Sequence, residues 1–239
     1  MSGLALEINP ALSPAQYADQ YVAGRRIHIP QFLTTPSVRA LVSYIESFRH
    51  WNLHLNDGNK HFDIHPNQRI QMSAEYFSTL RKSVDRGATH GFQYIFENFP
   101  IYDAWHAGTC PQPLSILFEF LNSEPFLSFA RVLTGFEDIE FADAQLTKYS
   151  KGDFLTVHND DVQGKNRRAA YVLNLTTQWR ADWGGLLQFH ASNGHISDAY
   201  TPCFNALNVF SVPQPHSVSQ VSTFAPRSRY SVTGWLRTG

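Results

Sequence analysis

Cysteine is scarce in this 239-residue chain, with only Cys110 and Cys203 present. Two are too few for a disulfide framework and neither lies in a metal-binding spacing, so both are expected to be reduced core thiols. No run of about 18 apolar residues occurs, and the opening MSGLALEINPALSPAQ has no basic region followed by a long apolar stretch. The expectation is a cytoplasmic protein with no membrane partner. A net charge of -1 gives no global reason to expect nucleic acid as a partner. Prolines and glycines are scattered, leaving no linker, low-complexity tract or internal repeat at which to divide the chain.

What is present is apolar and aromatic: 43% hydrophobic and 14% aromatic residues can bury a sizeable core in one compact unit. Charge is uneven, with nine basic against five acidic side chains from Leu146 onward. A basic C-terminal half suits a small dianion, although ordinary solvated surface gives the same imbalance.

The pattern changes character at about Ile139. Before it, Thr35-Pro36-Ser37 offers an N-cap to VRALVSYIESF, where Val38, Leu41, Val42, Tyr44 and Ile45 recur at helical spacing. Ser73 is placed to cap AEYFSTLRKSV, and PLSILFEFL with EPFLSFARVLTG predicts two helices broken at Pro125 and ended by Gly135. After it come EFADAQLTKYS, FLTVH, AAYVLNL, GLLQFH, ALNVFSV, HSVSQVS and YSVTGWL, short β-branched or aromatic runs separated by turn residues. The expected fold is α+β: residues 139–239 a double-stranded β-helix or jelly-roll core, residues 1–138 a helical and mixed support region packed outside it.

Eleven histidines make a pair near an acid uninformative by itself, so spacing decides. His158-Asn159-Asp160 puts an imidazole and a carboxylate at i and i+2, which at a strand end point to one side. His216 opens a later strand and supplies a third ligand. Two histidines and one carboxylate on one face of an octahedral metal leave open positions, the arrangement of non-haem Fe(II) oxygenases. With no thiolates in it, the set is not a structural zinc site. Asp161, at i+3, faces away. His61-Phe62-Asp63 has the same form but no downstream partners and is expected on surface or loop. His50 and His54 have helical i, i+4 spacing without the Glu of a HExxH motif.

Arg229 leads the strand RYSVTGW, so Arg229, Ser231 and Thr233 share a face by alternation, a guanidinium and two hydroxyls suited to a carboxylate. Gly184 and Gly185 predict a bulge or tight turn, with close backbone approach as the alternative. Trp179 and Trp183 either line the mouth of the site or cover a barrel edge. The polar DVQGKNRR, 161–168, is either a substrate lid or a solvated connection.

The run from Tyr149 to Trp235 resembles the prolyl 4-hydroxylase family of Fe(II)/2-oxoglutarate oxygenases. YSKGDFLTVHND, RRAAYVLNLTTQW, WGGLLQF, FNALNVFSVPQPHSVSQV and RYSVTGW carry the resemblance, in the family's order and spacing. It implies His158, Asp160 and His216 as metal-binding catalytic residues and Arg229 as the 2-oxoglutarate anchor. The Arg lies six residues before the strand's Trp in this family, which selects Arg229 over Arg227. Tyr149 matches an aromatic position beside the pocket, and Asn174 stands where the family often has a second co-substrate tyrosine. An amide can still donate a hydrogen bond there.

The implied cofactors are Fe(II), 2-oxoglutarate and O2, with L-ascorbate as a possible addition. The implied reaction is hydroxylation of a C–H bond, a prolyl residue of a protein or peptide at C4, releasing succinate and CO2. The alternatives are a free amino acid or small-molecule substrate, a cupin-type metalloenzyme, and a non-catalytic jelly-roll binding protein.

Overall fold

The computed structural model describes residues 4–58 and 60–239. Its first part runs α1 (Ala15–Gly24), β1 (Arg26–Ile29), α2 (Thr35–Ser47), β2 (Asn52–Asp57), β3 (Lys60–Ile64), α3 (Pro66–Ile70), α4 (Ala74–Gly87), β4 (Tyr94–Phe99), α5 (Ile101–His106), α6 (Gln112–Leu121) and α7 (Glu124–Thr134). Strands then dominate: β5 (Phe141–Ala142), β6 (Gln145–Tyr149), β7 (Phe154–His158), β8 (Arg167–Asn174), β9 (Leu187–His190), β10 (Ile196–Tyr200), β11 (Ala206–Ser211), β12 (His216–Val218) and β13 (Arg229–Arg237).

The strands pair antiparallel in the order β1-β11-β8-β13-β6-β4-β7-β12-β9-β10, with β2 and β3 extending from β4 and β5 added beside β13. One wall contains β11, β8, β13 and β6. The other contains β7, β12, β9 and β10, and β4 joins them by pairing with β6 at one end and β7 at the other. This nearly closed antiparallel barrel with helices outside it is the expected jelly-roll architecture.

Helices pack where their apolar stripes require. Val38, Leu41, Val42 and Ile45 of α2 join Leu114, Leu117 and Leu121 of α6 and Phe126, Phe129 and Leu133 of α7 in one buried cluster, together with Leu146, Tyr171, Leu173, Leu207 and Val232 from the barrel wall. The helical layer therefore rests on the outer face of β6, β8, β11 and β13, leaving the opposite face of those strands to the barrel interior.

Several local expectations need correction. The cap of α2 is Thr34, and Ser37 lies inside the helix, where its buried hydroxyl donates to the Ala5 carbonyl at 2.8 Å and accepts the Glu7 N–H at 3.1 Å. Ser73 does cap α4, accepting the Tyr76 N–H at 3.1 Å. Pro125 does not break a helix: it occupies the first turn of α7, where its missing N–H costs nothing, and the break falls at Asn122-Ser123. Gly135 ends α7 in the left-handed region at φ 72°. Cys203 is exposed and Cys110 only partly buried, so neither is a core thiol. His50 and His54 are not on a helix, and His61, on β3, is at the surface as expected.

Candidate active site

Three side chains converge inside the barrel. His158 ends β7 and His216 opens β12, and the two residues are direct cross-strand partners with ring centroids 4.1 Å apart. Asp160 lies beyond the strand in a left-handed turn, φ 63°, a conformation that a short polar side chain tolerates. Its carboxylate thus reaches the histidines through that turn, not through strand alternation. Asp160 Oδ1 is 3.4 Å from His158 Nε2 and Oδ2 is 3.4 Å from His216 Nε2. One ligand atom from each residue lies within 4.8 Å of the others, close enough to share one cation. Asp161 is exposed.

The second ring nitrogens are already committed. His158 Nδ1 is 3.0 Å from the Thr156 carbonyl and His216 Nδ1 is 2.8 Å from the Gln214 carbonyl. A carbonyl can only accept, so each Nδ1 donates its N–H there and each Nε2 is turned toward Asp160, the nitrogen through which a metal would be bound. Burial and the neighbouring His158 bring the His216 pKa down to about 4, which keeps its ring neutral. Burial acts to raise the Asp160 pKa, but the hydrogen bond with His158 and the adjacent His216 outweigh it and bring it down to about 2. A carboxylate and two imidazoles are a donor set suited to Fe(II).

The same cavity, about 80 Å³, is lined by Tyr149, Arg229 and Thr233. Arg229 is 2% exposed, and its Nε and one terminal nitrogen have no hydrogen-bond partner. Its guanidinium lies 5.3 Å from the Tyr149 ring centroid, and Tyr149 stacks on Phe96 at 4.7 Å. A buried cation lacking an anion is costly, so the site fits a ligand carboxylate. Arg227 is exposed and touches Thr177.

Ser231 and Asn174 are fully buried cross-strand partners but stand outside the cavity lining. Ser231 shares a 2.8 Å hydrogen bond with Thr147, while Asn174 donates to the Ala206 carbonyl and its Oδ1 has no partner. Trp179 and Trp183 form an edge-on pair packed beside Tyr149 and Val221, again outside the lining. At Gly184, φ 69°, a Cβ would sit 2.0 Å from the Gln220 carbonyl oxygen, so positive φ and close approach both demand glycine.

Sequence reasoning missed Phe96, Gln145, Thr147, Arg167 and Trp235. Gln145 and Thr147 alternate with Tyr149 on β6, a period-2 signal that could have found them. Arg167 carried no such signal: its guanidinium stacks 3.5 Å from the Trp235 ring centroid and donates to the Asp160 carbonyl at 3.0 Å. The 161–168 segment forms a short turn, and Arg167 and Arg168 already begin β8.

Residues 144–237 match the family model of the 2OG-Fe(II) oxygenase superfamily. Prolyl 3-hydroxylase OGFOD1 of Mus musculus is 31% identical over 123 residues, covering 48% of this chain and 22% of the relative. The match thus spans under a quarter of that protein's length. A Pseudomonas putida prolyl-4-hydroxylase superposes with a TM-score of 0.59 at 19% identity, covering 95% of this chain and 100% of the other. A Trichoplax adhaerens prolyl hydroxylase, solved with a hypoxia inducible factor peptide, gives 0.59 at 15% identity over 94% of this chain and 89% of the other. The resemblance read from the motifs is therefore matched over residues 144–237 by the 2OG-Fe(II) oxygenase family model, and the fold is one shared with prolyl hydroxylases.

Proposed function

We propose that this chain is an Fe(II)- and 2-oxoglutarate-dependent dioxygenase that hydroxylates a prolyl residue of a protein or peptide, with release of succinate and CO2. The observation that carries the reading is the partnerless buried guanidinium of Arg229 in the same cavity as His158, Asp160 and His216. Bound Fe(II), 2-oxoglutarate and O2 supply the oxidising chemistry.

The chain's own residues bind, orient and exclude water. The Asp160 carboxylate and the two Nε2 atoms would hold the metal, the histidines kept in register by the β7–β12 pairing. Arg229 pairs with the far carboxylate of the co-substrate and Thr233 lines the same pocket. Tyr149 and Phe96 form an aromatic wall against it. Ser231 and Asn174 act behind that wall, Ser231 by fixing Thr147. Residues 139–239 are the catalytic core and 1–138 its support, although β1 and β4 complete the sheet.

A prolyl residue is favoured over a free amino acid because the similar proteins include a prolyl 3-hydroxylase and a prolyl-4-hydroxylase. The 31% likeness to the 3-hydroxylase makes C3 a position to test beside C4. L-ascorbate as an accessory reductant, a cytoplasmic setting and no nucleic-acid partner belong to the same proposal. The two free cysteines agree with a reducing compartment.

The test is 2-oxoglutarate conversion to succinate with Fe(II), and mass spectrometry of cell-extract peptides for one added oxygen on proline. Wild-type turnover should fall to background in His158→Ala. Turnover unchanged in that variant ends the metal assignment, and oxygen found only on non-prolyl residues ends the substrate class.

A further inference from the structure

Asp143 lies between β5 and β6, where β13 presses against it. Its Oδ1 accepts the Trp235 main-chain N–H at 2.7 Å and its carbonyl accepts the Tyr171 hydroxyl at 2.7 Å. A Cβ at Gly234 would stand 2.0 Å from that carbonyl, so no other residue allows this approach. Asp143 Oδ2 is 3.6 Å from a terminal nitrogen of Arg237. The carboxylate borders a polar cavity of about 310 Å³, which shares Gln145 and Trp235 with the metal-site cavity.

Trp235 is the link to the site. Arg167 stacks on its ring, donates to the main chain of Asp160 and has its own carboxylate neighbour 3.8 Å away in Asp160 Oδ1. Arg167 Nε is a buried donor without a partner, and Trp235 Nε1, turned toward the Asp160 carboxylate, forms no close hydrogen bond. Asp160 and Asp143 are the two carboxylates that stabilise the Arg167 charge. With a divalent cation held by the histidines and Asp160, Asp143 would be the carboxylate left to offset Arg167.

We propose that Asp143 is a positioning residue: ionised, it fixes the Trp235 main chain and the Arg167 guanidinium stacked on that ring, and loss of its charge loosens this wall of the metal site. The geometry of the pair stands by itself; its consequence for substrate seating rests on the oxygenase reading. Burial pushes the Asp143 pKa up to about 6 against the opposing pull of the Trp235 N–H, Arg167 and Arg237, so its charge changes near neutrality. The other charged or titratable groups around the cavity are Lys165, Tyr102, Asp103, His54 and Asp63, the last two bound to each other at 2.6 Å.

The experiment follows the Trp235 amide and indole N–H resonances of the full chain loaded with Zn(II), assigned with Trp235→Phe, from pH 4.5 to 8. The wild type should show a step centred near pH 6 that Asp143→Asn lacks. Signals that do not titrate, or titrate equally in Asp143→Asn, overturn the proposal. A second arm compares calorimetric 2-oxoglutarate binding with peptide hydroxylation. Asp143→Asn should leave binding unchanged and lower hydroxylation about tenfold. Equal losses in both, with a lowered Tm, would make the role merely structural and overturn it. Absence of wild-type 2-oxoglutarate turnover would instead end the oxygenase reading and leave the resonance result standing.

Discussion

The two ends of the cavity are built on opposite electrostatic principles. At the metal end, Asp160 lies between two imidazoles that are themselves anchored to carbonyls, so the group is hydrogen-bonded and close to self-sufficient. At the other end, Arg229 is more deeply buried, faces the Tyr149 ring and leaves two guanidinium nitrogens without a hydrogen bond. The difference teaches that the cation site is prepared within the fold, whereas the anion site depends on its ligand. Unpaired buried charge is a cost to stability that a binding carboxylate turns into affinity.

The largest expected effect tests the metal end. Asp160→Ala removes the only anion of the trio, and metal affinity measured by calorimetry with Zn(II) should fall by at least about a hundredfold, more than loss of an outer partner costs. His190→Ala, whose Nε2 is 2.8 Å from the Ser217 hydroxyl and which is no member of the trio, should retain affinity near wild type. Equal losses in both variants would show that the trio is not the site.

The next effect tests the opposite end and should have two signs. Arg229→Met deletes a buried unpaired charge, so the ligand-free protein should gain thermal stability by one to a few degrees. The same change should weaken 2-oxoglutarate binding by about 2–5 kcal/mol, the usual cost of truncating one member of a buried charge pair. Added 2-oxoglutarate should raise the Tm of metal-loaded wild type and leave the Met variant unmoved. A destabilised ligand-free variant would break the contrast between the two ends.

Much of this site was legible because it lies on regular strands with alternating patterns. FLTVH coincides with β7 residue for residue, and Arg229 opens β13 as its position before Trp235 implied. Beyond Gln145 and Thr147, which alternation on β6 does encode, what was missed lies where alternation gives no signal. Strand β4, YIFENF, is buried along nearly its whole length, and its Glu97 is neutralised by Arg69 and by Lys148 at 2.7 Å, residues far away in the chain. Strand β10, ISDAY, is mostly exposed and has no apolar stripe to reveal it. HSVSQVS promised a longer strand than the three residues of β12, because the chain turns away after Val218 to bring Ser219 and Val221 against Gly185 and Asp153. The Arg167–Trp235 stack joins residues 68 positions apart in neighbouring strands, and only the register of β8 against β13 discloses it.

The smallest effect concerns the turn that couples the two ends, since β6 carries Tyr149 beside Arg229 and β7 carries His158. Asp153 holds that turn: it accepts the Ser150 N–H at 2.7 Å and a guanidinium nitrogen of Arg81 at 2.9 Å, tying helix α4 to it. Burial nevertheless pushes its pKa up to about 6, the hydrogen bonds from Ser150 and Arg81 opposing that rise without cancelling it. An acid whose pKa is higher folded than unfolded binds its proton more tightly in the fold. Its stabilising contribution is therefore complete below about pH 4, where the unfolded acid is also protonated, and is lost as pH rises through about 6. The loss is on the order of 2–3 kcal/mol at one pKa unit per about 1.4 kcal/mol. Urea unfolding should show a smaller fall in stability between pH 4 and 7 for Asp153→Asn, which cannot ionise, than for the wild type, the rest of the decline staying with groups such as Asp143. An unchanged slope in the variant would place the titration elsewhere and leave the two ends of the cavity uncoupled through this turn.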